Sequence, residues 1–276
     1  MPSPREPRKK VSAIDPIWTA LRQQAEAMAG REPTLAGFVH ATILQHDQLE
    51  QALSYHLARK LGGEDLSPLA IREMFDDAAA SDDAFGQAVR ADLSAVFERD
   101  PACHSYLDAF LFYKGFHALE CYRVAHWLWN DGRKAMALFL QSRISQLFAV
   151  DVHPAAKIGR GIMFDHATGI VIGETAVVED DVSIKQDVTL GGTGKESGDR
   201  HPKIRRGVLL SLGAKVLGNI EVGEYSRVGA GSVVLKPVPP GCTAVGVPAK
   251  LVNCDCGENP SQQMNHFIEE LPDNTG

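Results

Sequence analysis

The stretch from Ile170 to Gly191, IVIGETAVVEDDVSIKQDVTLG, decides the fold. Its aliphatic residues Ile172, Val178, Ile184 and Leu190 recur every six positions, a step that belongs neither to a helix nor to an ordinary strand. Ile204, Leu210, Val216, Val222, Val228 and Val234 keep the same step further on. Gly follows directly in Ile172-Gly173, Val222-Gly223 and Val228-Gly229, as a tight corner requires. Ten positions in register define a short-period repeat, and three hexads make one triangular coil of a parallel β-helix. Each coil turns its aliphatic residues inward and stacks on the next, which produces a rigid wall. The register breaks twice. Phe164 to Ile172 is eight steps and Leu190 to Ile204 is fourteen, so each break pushes residues outward. The first carries DHATG at Asp165 to Gly169 and the second GGTGKESGDRHPK at Gly191 to Lys203, and function is expected at both.

Upstream of this repeat, up to Val150, the chain reads as helices separated by turn residues. Helices are predicted over Trp18 to Ala29, Leu35 to Leu61, Phe85 to Phe97, Tyr106 to Trp129 and Lys134 to Phe148, with Ser67-Pro68 capping another. Downstream, the repeat signature ends at Pro248-Ala249-Lys250, and the polar stretch from Leu251 to Gly276 is expected to be a flexible tail. The expected organisation is a helical domain over 1–150, a β-helix over 151–250 and a tail over 251–276.

At 276 residues, 44% hydrophobic and 23% charged, the chain buries a sizeable core and is not a disordered one. A net charge of −7 argues against a nucleic-acid coat, and 7% aromatics argue against a stacking platform for single strands. No apolar run reaches the roughly 18 residues of a membrane span, and the basic opening MPSPREPRKK leads into Asp15-Pro16 rather than an apolar leader. The five cysteines, Cys103, Cys121, Cys242, Cys254 and Cys256, are too few and irregular for a disulfide scaffold. A cytoplasmic protein is expected, with Cys254 and Cys256 as plain surface residues.

The repeat half holds three histidines, His153, His166 and His201. Histidine is the suitable general base near neutral pH, and His166 sits in the first break beside Asp165. GGTGK is not a phosphate loop, which needs Gly at Thr189 and Ser or Thr at Glu196. Lys195, Arg200, Lys203, Arg205 and Arg206 outnumber Glu196 and Asp199, an excess suited to a phosphate-rich ligand.

From about Asp100-Pro101 onward, the segments KGFHALECYRVAHWLWNDGR, VDVHPAAKIGRGIMFDHATGIVIGETAVVEDDVSI, VTLGGTGK, GDRHPKI and VGVPAK resemble the serine O-acetyltransferases of cysteine biosynthesis. Hexads alone indicate the wider hexapeptide-repeat acyltransferases; the helical half with DHATGIVIGE and GDRHPKI points to the serine enzymes. The resemblance implies a left-handed parallel β-helix with an extended loop, assembled as trimers or dimers of trimers, with acetyl-CoA as co-substrate and no metal. It implies transfer of acetyl to L-serine by direct attack, Asp151 orienting His166 as general base. Serine is a zwitterion, and Asp100 and Asp165 match the family's acidic substrate ligands, Arg200 and His201 its basic ones. Gly192, Thr193, Lys195, Ala230 and Lys250 are the implied acetyl-CoA contacts. L-cysteine is the implied feedback inhibitor, and O-acetylserine sulfhydrylase the implied partner of the tail, whose DNTG lacks a terminal apolar anchor. One departure stands out: Ser211-Leu212 replaces the Gly-Ala common in the family.

Other readings remain open at this level. His153, His166 and His201 supply the count of a zinc-dependent γ-type carbonic anhydrase. The repeat also suits a scaffold without activity, and acetyl transfer to homoserine, a sugar or an amine uses the same machinery.

Overall fold

The computed structural model describes residues 15–194, 197–254 and 259–266. Its first half is helical. α1 (Pro16–Arg31) starts where the Asp15 carboxylate accepts from the backbone N–H groups of Ile17 and Trp18. α2 (Pro33–Val39) runs into a π-helical turn, His40–Leu44, and stops. The single helix predicted over Leu35 to Leu61 is thus broken, resuming as α3 (Leu49–Leu61). Side chains of α1 account for the break. Trp18 Nε1 donates to the Asp47 carbonyl at 2.9 Å and Arg22 Nη1 to the His46 carbonyl at 2.5 Å, so these carbonyls serve α1 instead of a continuing helix.

α4 (Pro68–Ser81) opens on the predicted cap, with Ser67 Oγ accepting from Ala70 N at 3.2 Å. α5 (Asp83–Arg99) ends at Asp100. The helix predicted from Tyr106 to Trp129 is two, α6 (Tyr106–Phe112) and α7 (Lys114–Asn130), parted by an extended Tyr113. This bend seats Gly115 against the Phe164 carbonyl, where a β-carbon would come within 2.0 Å. α8 (Lys134–Phe148) leads into the solenoid.

Each coil of the solenoid visits three sheets in turn. The first sheet stacks β1 (Val150–Val152), β4 (Ile170–Ile172), β7 (Thr189–Gly191), β10 (Lys215–Leu217) and β13 (Val233–Val234). The second stacks β2 (Lys157–Ile158), β5 (Val177–Val178), β8 (Lys203–Ile204) and β11 (Glu221–Val222). The third stacks β3 (Met163–Asp165), β6 (Ser183–Lys185), β9 (Leu209–Leu210), β12 (Arg227–Val228) and β14 (Thr243–Gly246). All of these pairings are parallel; β15 (Ala249–Asn253) closes the stack antiparallel to β14.

The ten predicted inward residues are all buried and lie over one another, Leu190 on Ile172, Val216 on Leu190, Ile204 on Val178. Burial of each such side chain is worth about 1.5–3 kcal/mol. Val152, Ile158 and Phe164 keep the same step and pair with Ile172, Val178 and Ile184, adding one coil before the ten residues, within the β-helix expected over 151–250. An uninterrupted coil takes 18 residues, as from Val171 to its partner Thr189. The two breaks lengthen theirs to 20, Val150 to Ile170, and 26, Thr189 to Lys215.

A buried ionic knot ties the helices to the first coil. Arg123 Nε donates to Asp92 Oδ2 at 2.8 Å and its Nη2 to the Gly159 carbonyl at 2.7 Å, while Asp92 Oδ1 accepts from Ile162 N at 2.8 Å. Glu120 shares this enclosure: burial and the Asp92 charge push its carboxyl well above the usual range, and neither of its carboxyl oxygens finds a hydrogen-bond partner among the described residues.

Two expectations about the C-terminal region are corrected. Pairing of Thr243 with Asn253 brings Cys242 beside Cys254, and the two form a disulfide; Cys256 lies outside the described residues. Part of the expected flexible tail is ordered: Leu251 continues in β15, and α9 (Pro260–Gln263) docks on the third sheet. Ser261 is buried there, its Oγ accepting from Arg99 Nη1 at 3.1 Å and lying 2.9 Å from Ser183 Oγ. Polar anchoring of this kind leaves no apolar periodicity to read. Residues 267–276, where the partner-binding end is expected, lie outside the described residues.

Candidate active site

The two register breaks open on different edges of the triangular prism. DHATG lies where the third sheet turns into the first. His166 and Ala167 adopt φ of 54° and 61°, a left-handed backbone that residues with a β-carbon enter only at a cost. The turn is held by Ala167 N donating to the Asp165 carbonyl at 2.6 Å and Gly169 N to the Ala149 carbonyl at 2.8 Å. This strained corner thrusts out His166, whose side chain is 74% exposed. It faces a cavity of about 830 Å³ that Asp100, Asp165, Lys185, Met264 and His266 also line. Asp100 sits at the end of α5, its Oδ1 accepting from Ala102 N at 2.8 Å. Asp165 is nearly enclosed, Oδ2 lying 2.6 Å from Lys185 Nζ and Oδ1 3.7 Å from His166 Nε2. Helix α7 braces this edge, through Gly115 on Phe164 and a hydrogen bond from Lys114 Nζ to Thr168 Oγ1.

GDRHPKI lies on the other edge, where the first sheet turns into the second, and Thr175 organises it. Its Oγ1 accepts from Arg200 N at 3.0 Å and His201 N at 3.1 Å, and stands 2.8 Å from His201 Nδ1. Thr175 N donates to that same Nδ1 at 3.2 Å, which leaves the ring proton on Nε2. Burial, assisted by Arg200, lowers the proton affinity of His201. The ring packs against Gly173, where a β-carbon would come within 2.0 Å of Nε2. Arg200 Nη2 pairs with Glu174 Oε2 at 2.9 Å and holds that carboxyl below its usual range. His153 shares the edge, its Nδ1 accepting from Ala155 N at 3.0 Å and its ring edge-on to Trp129 at 5.0 Å. Gly192 and Thr193 begin this loop; Lys195 lies outside the described residues.

The predicted site residues are therefore divided. Asp165, His166 and Ala230, which follows β12, stand on the DHATG edge; Gly192, Thr193, Arg200 and His201 stand on the other. Lys250 is exposed on β15 beyond the last coil. Asp151 lies on the outer face of the first sheet, its Oδ1 accepting from Gln141 Nε2 at 2.7 Å, and it makes no contact with His166. The expected Asp151–His166 pair is thus not closed in the single chain, where Asp151 Oδ1 is engaged by Gln141 of α8. Among the described residues no three His, Cys, Asp or Glu side chains converge as metal ligands do, and His166 stands apart from His153 and His201.

Sequence reasoning missed Glu174 and Thr175, although both stand in the opening stretch, because their role depends on a loop 25 residues away. It also missed Lys185, whose contact with Asp165 depends on the lengthened first coil, and His266, which arrives with α9.

A helical half joined to a parallel β-solenoid, with an acid–histidine edge and a basic edge, defines an acyltransferase of the hexapeptide type. Residues 17–121 match the family model for the N-terminal region of serine acetyltransferase. The serine acetyltransferase of Salmonella typhimurium is 57% identical over 255 residues, covering 92% of this chain and 93% of that protein. Among solved structures, a serine acetyltransferase in complex with cysteine superimposes with a TM-score of 0.90 at 54% identity, covering 92% of this chain and 98% of that one. The coenzyme A complex of the Brucella abortus enzyme gives 0.85 at 51% identity, covering 87% and 96%. The soybean enzyme complexed with serine gives 0.84 at 54% identity, covering 86% and 97%. The chain belongs to the serine acetyltransferase family, acyltransferases that use acetyl-CoA as co-substrate. No described helix is long and apolar enough to cross a membrane.

Proposed function

We propose that the chain acetylates the hydroxyl of L-serine in a cleft formed where the DHATG edge of one copy meets the GDRHPKI edge of its neighbour. The observation that carries this is the division of the candidate residues, since neither edge alone holds both a base and a complete zwitterion clamp. A closed ring of three copies satisfies every such edge pair. His166 accepts the serine proton as the oxygen attacks the thioester carbonyl, and collapse of the tetrahedral adduct expels the CoA thiolate, which takes that proton from the imidazolium. No acyl-enzyme forms. Asp151 orients the imidazole: the DHATG turn is tied to Ala149, two residues before it, and Oδ2 is available beside the Oδ1 that Gln141 holds.

Asp100 and Asp165 receive the serine ammonium, and Arg200 and His201 its carboxylate. Gly192, Thr193, Lys195, Ala230 and Lys250 line the coenzyme arm, which runs along the same cleft. L-Cysteine carries the same zwitterion on a side chain of similar shape, so it inhibits in competition with serine; a related enzyme has been solved with cysteine bound. The sulfhydrylase partnership is assigned to the tail, beyond the described residues. The test is thiol release from acetyl-CoA with L-serine, L-homoserine and a sugar as acceptors. Strong preference for L-serine supports the reading; comparable rates with the other acceptors overturn it.

A further inference from the structure

Asp165 and Lys185 are direct partners at the ends of β3 and β6, and the coil after places Ser211 in the equivalent position, next to Leu210, which faces Ile184. The three corner residues are joined by His266 from the C-terminal segment. Lys185 Nζ lies 2.6 Å from Asp165 Oδ2 and 3.4 Å from His266 Nε2, and His266 Nδ1 lies 3.1 Å from Ser211 Oγ. Lys185 and Asp165 side chains are only 15% and 10% exposed, so the pair is held out of bulk water. Nothing in the proposed reaction uses this lysine, yet it neutralises a carboxylate assigned to the substrate.

We propose that Lys185 is a positioning residue that sets the affinity for the ammonium group of amino-acid ligands, by occupying the Asp165 oxygen such a group requires. The proposal rests on the reading of Asp165 as an ammonium ligand. A resident ammonium on Asp165 Oδ2 repels an incoming one, which is accommodated best when Lys185 withdraws. Binding therefore exchanges one charge-assisted hydrogen bond for another, and the site gains less than a bare carboxylate would give. His266 makes the exchange feasible. Its burial and the nearby Lys185 keep its proton affinity low, so Nε2 accepts from Lys185 while Nδ1 donates to Ser211, and the lysine retains a partner when it leaves Asp165. Ser211, which departs from the family's common Gly, thus acquires a use as the anchor of His266.

The experiment compares the full-length parent with Lys185→Met, Lys185→Gln and Lys185→Arg. The Met and Gln variants are expected to lower the serine KM and the L-cysteine inhibition constant together by roughly tenfold, the size of one charge-assisted hydrogen bond. The acetyl-CoA KM and kcat stay within about twofold, and Arg, which keeps the cation, behaves as the parent. Calorimetric titration with L-cysteine reads the same gain without turnover, and the Gln variant guards against a Met variant that fails to fold. Unchanged or weakened binding of serine and cysteine in both Met and Gln variants overturns the proposal, as does an equal shift in the acetyl-CoA KM. A parent that releases no thiol with L-serine would instead overturn the underlying assignment of substrate.

Discussion

The two edges of the solenoid solve opposite problems. The DHATG edge is braced from outside, by α7 through Gly115 and Lys114 and by the C-terminal segment through His266. The GDRHPKI edge is braced from within, by Thr175 one coil away. An exposed histidine on a strained backbone is suited to accept a proton from a mobile substrate, whereas a buried, neutral histidine beside an arginine is suited to hold a ligand still. Under the proposed reading the base and the ammonium ligands fall on one edge and the carboxylate ligands on the other.

The largest expected effect breaks the chemical edge. His166→Ala should lower kcat by at least roughly 10²-fold, the usual contribution of a general base, while acetyl-CoA binding by calorimetry is retained. Near-native turnover would remove His166 from that role. For the substrate clamp, which spans both edges, Arg200→Ala and Asp100→Ala should each raise the serine KM by roughly tenfold or more and leave the acetyl-CoA KM close to the parent's. A rise confined to acetyl-CoA would move those residues to the coenzyme site. Thr175→Val keeps the shape and removes the hydroxyl that holds two backbone N–H groups and a ring nitrogen, so a serine KM a few-fold higher with kcat unchanged is expected.

The smallest effect sharpens the difference in bracing. The folded carboxyl of Glu120 titrates well above its ordinary range, so the folded chain holds a proton that the unfolded chain releases, and stability is lost as pH rises from the unfolded value toward the folded one. Glu120→Gln abolishes that loss. Its melting midpoint should exceed the parent's by a few degrees at about pH 8.5 and by less at about pH 5. A gap that is equal at both would mean that Glu120 is not protonated in the fold.

The solenoid was legible because a six-residue step has no rival source: Ile172 to Leu190 and Ile204 to Val234 fix register, inward face and both insertions. Helix caps such as Ser67-Pro68 were legible because their hydrogen bonds are local. The breaks after Leu44 and at Tyr113 were not, since Trp18, Arg22 and the close seat of Gly115 impose them from elsewhere in the fold. In the site, residue types and motifs indicated His166, Asp165, Arg200 and His201, but their separation onto two edges emerges only once coils are stacked. Lys185 and His266 were invisible for the same reason, one reaching Asp165 across a coil and the other docking through polar contacts.

The most direct test of the divided site mixes two defective chains. His166→Ala retains an intact GDRHPKI edge and Arg200→Ala an intact DHATG edge, so co-expression in equal amounts should place one native pair of edges at roughly a quarter of the clefts in a closed ring. Thiol release from acetyl-CoA with L-serine should then recover to about that fraction of the parent rate, far above either variant alone. Activity in the mixture no greater than the average of the two separate variants would show that each cleft is built from a single chain and would contradict the account.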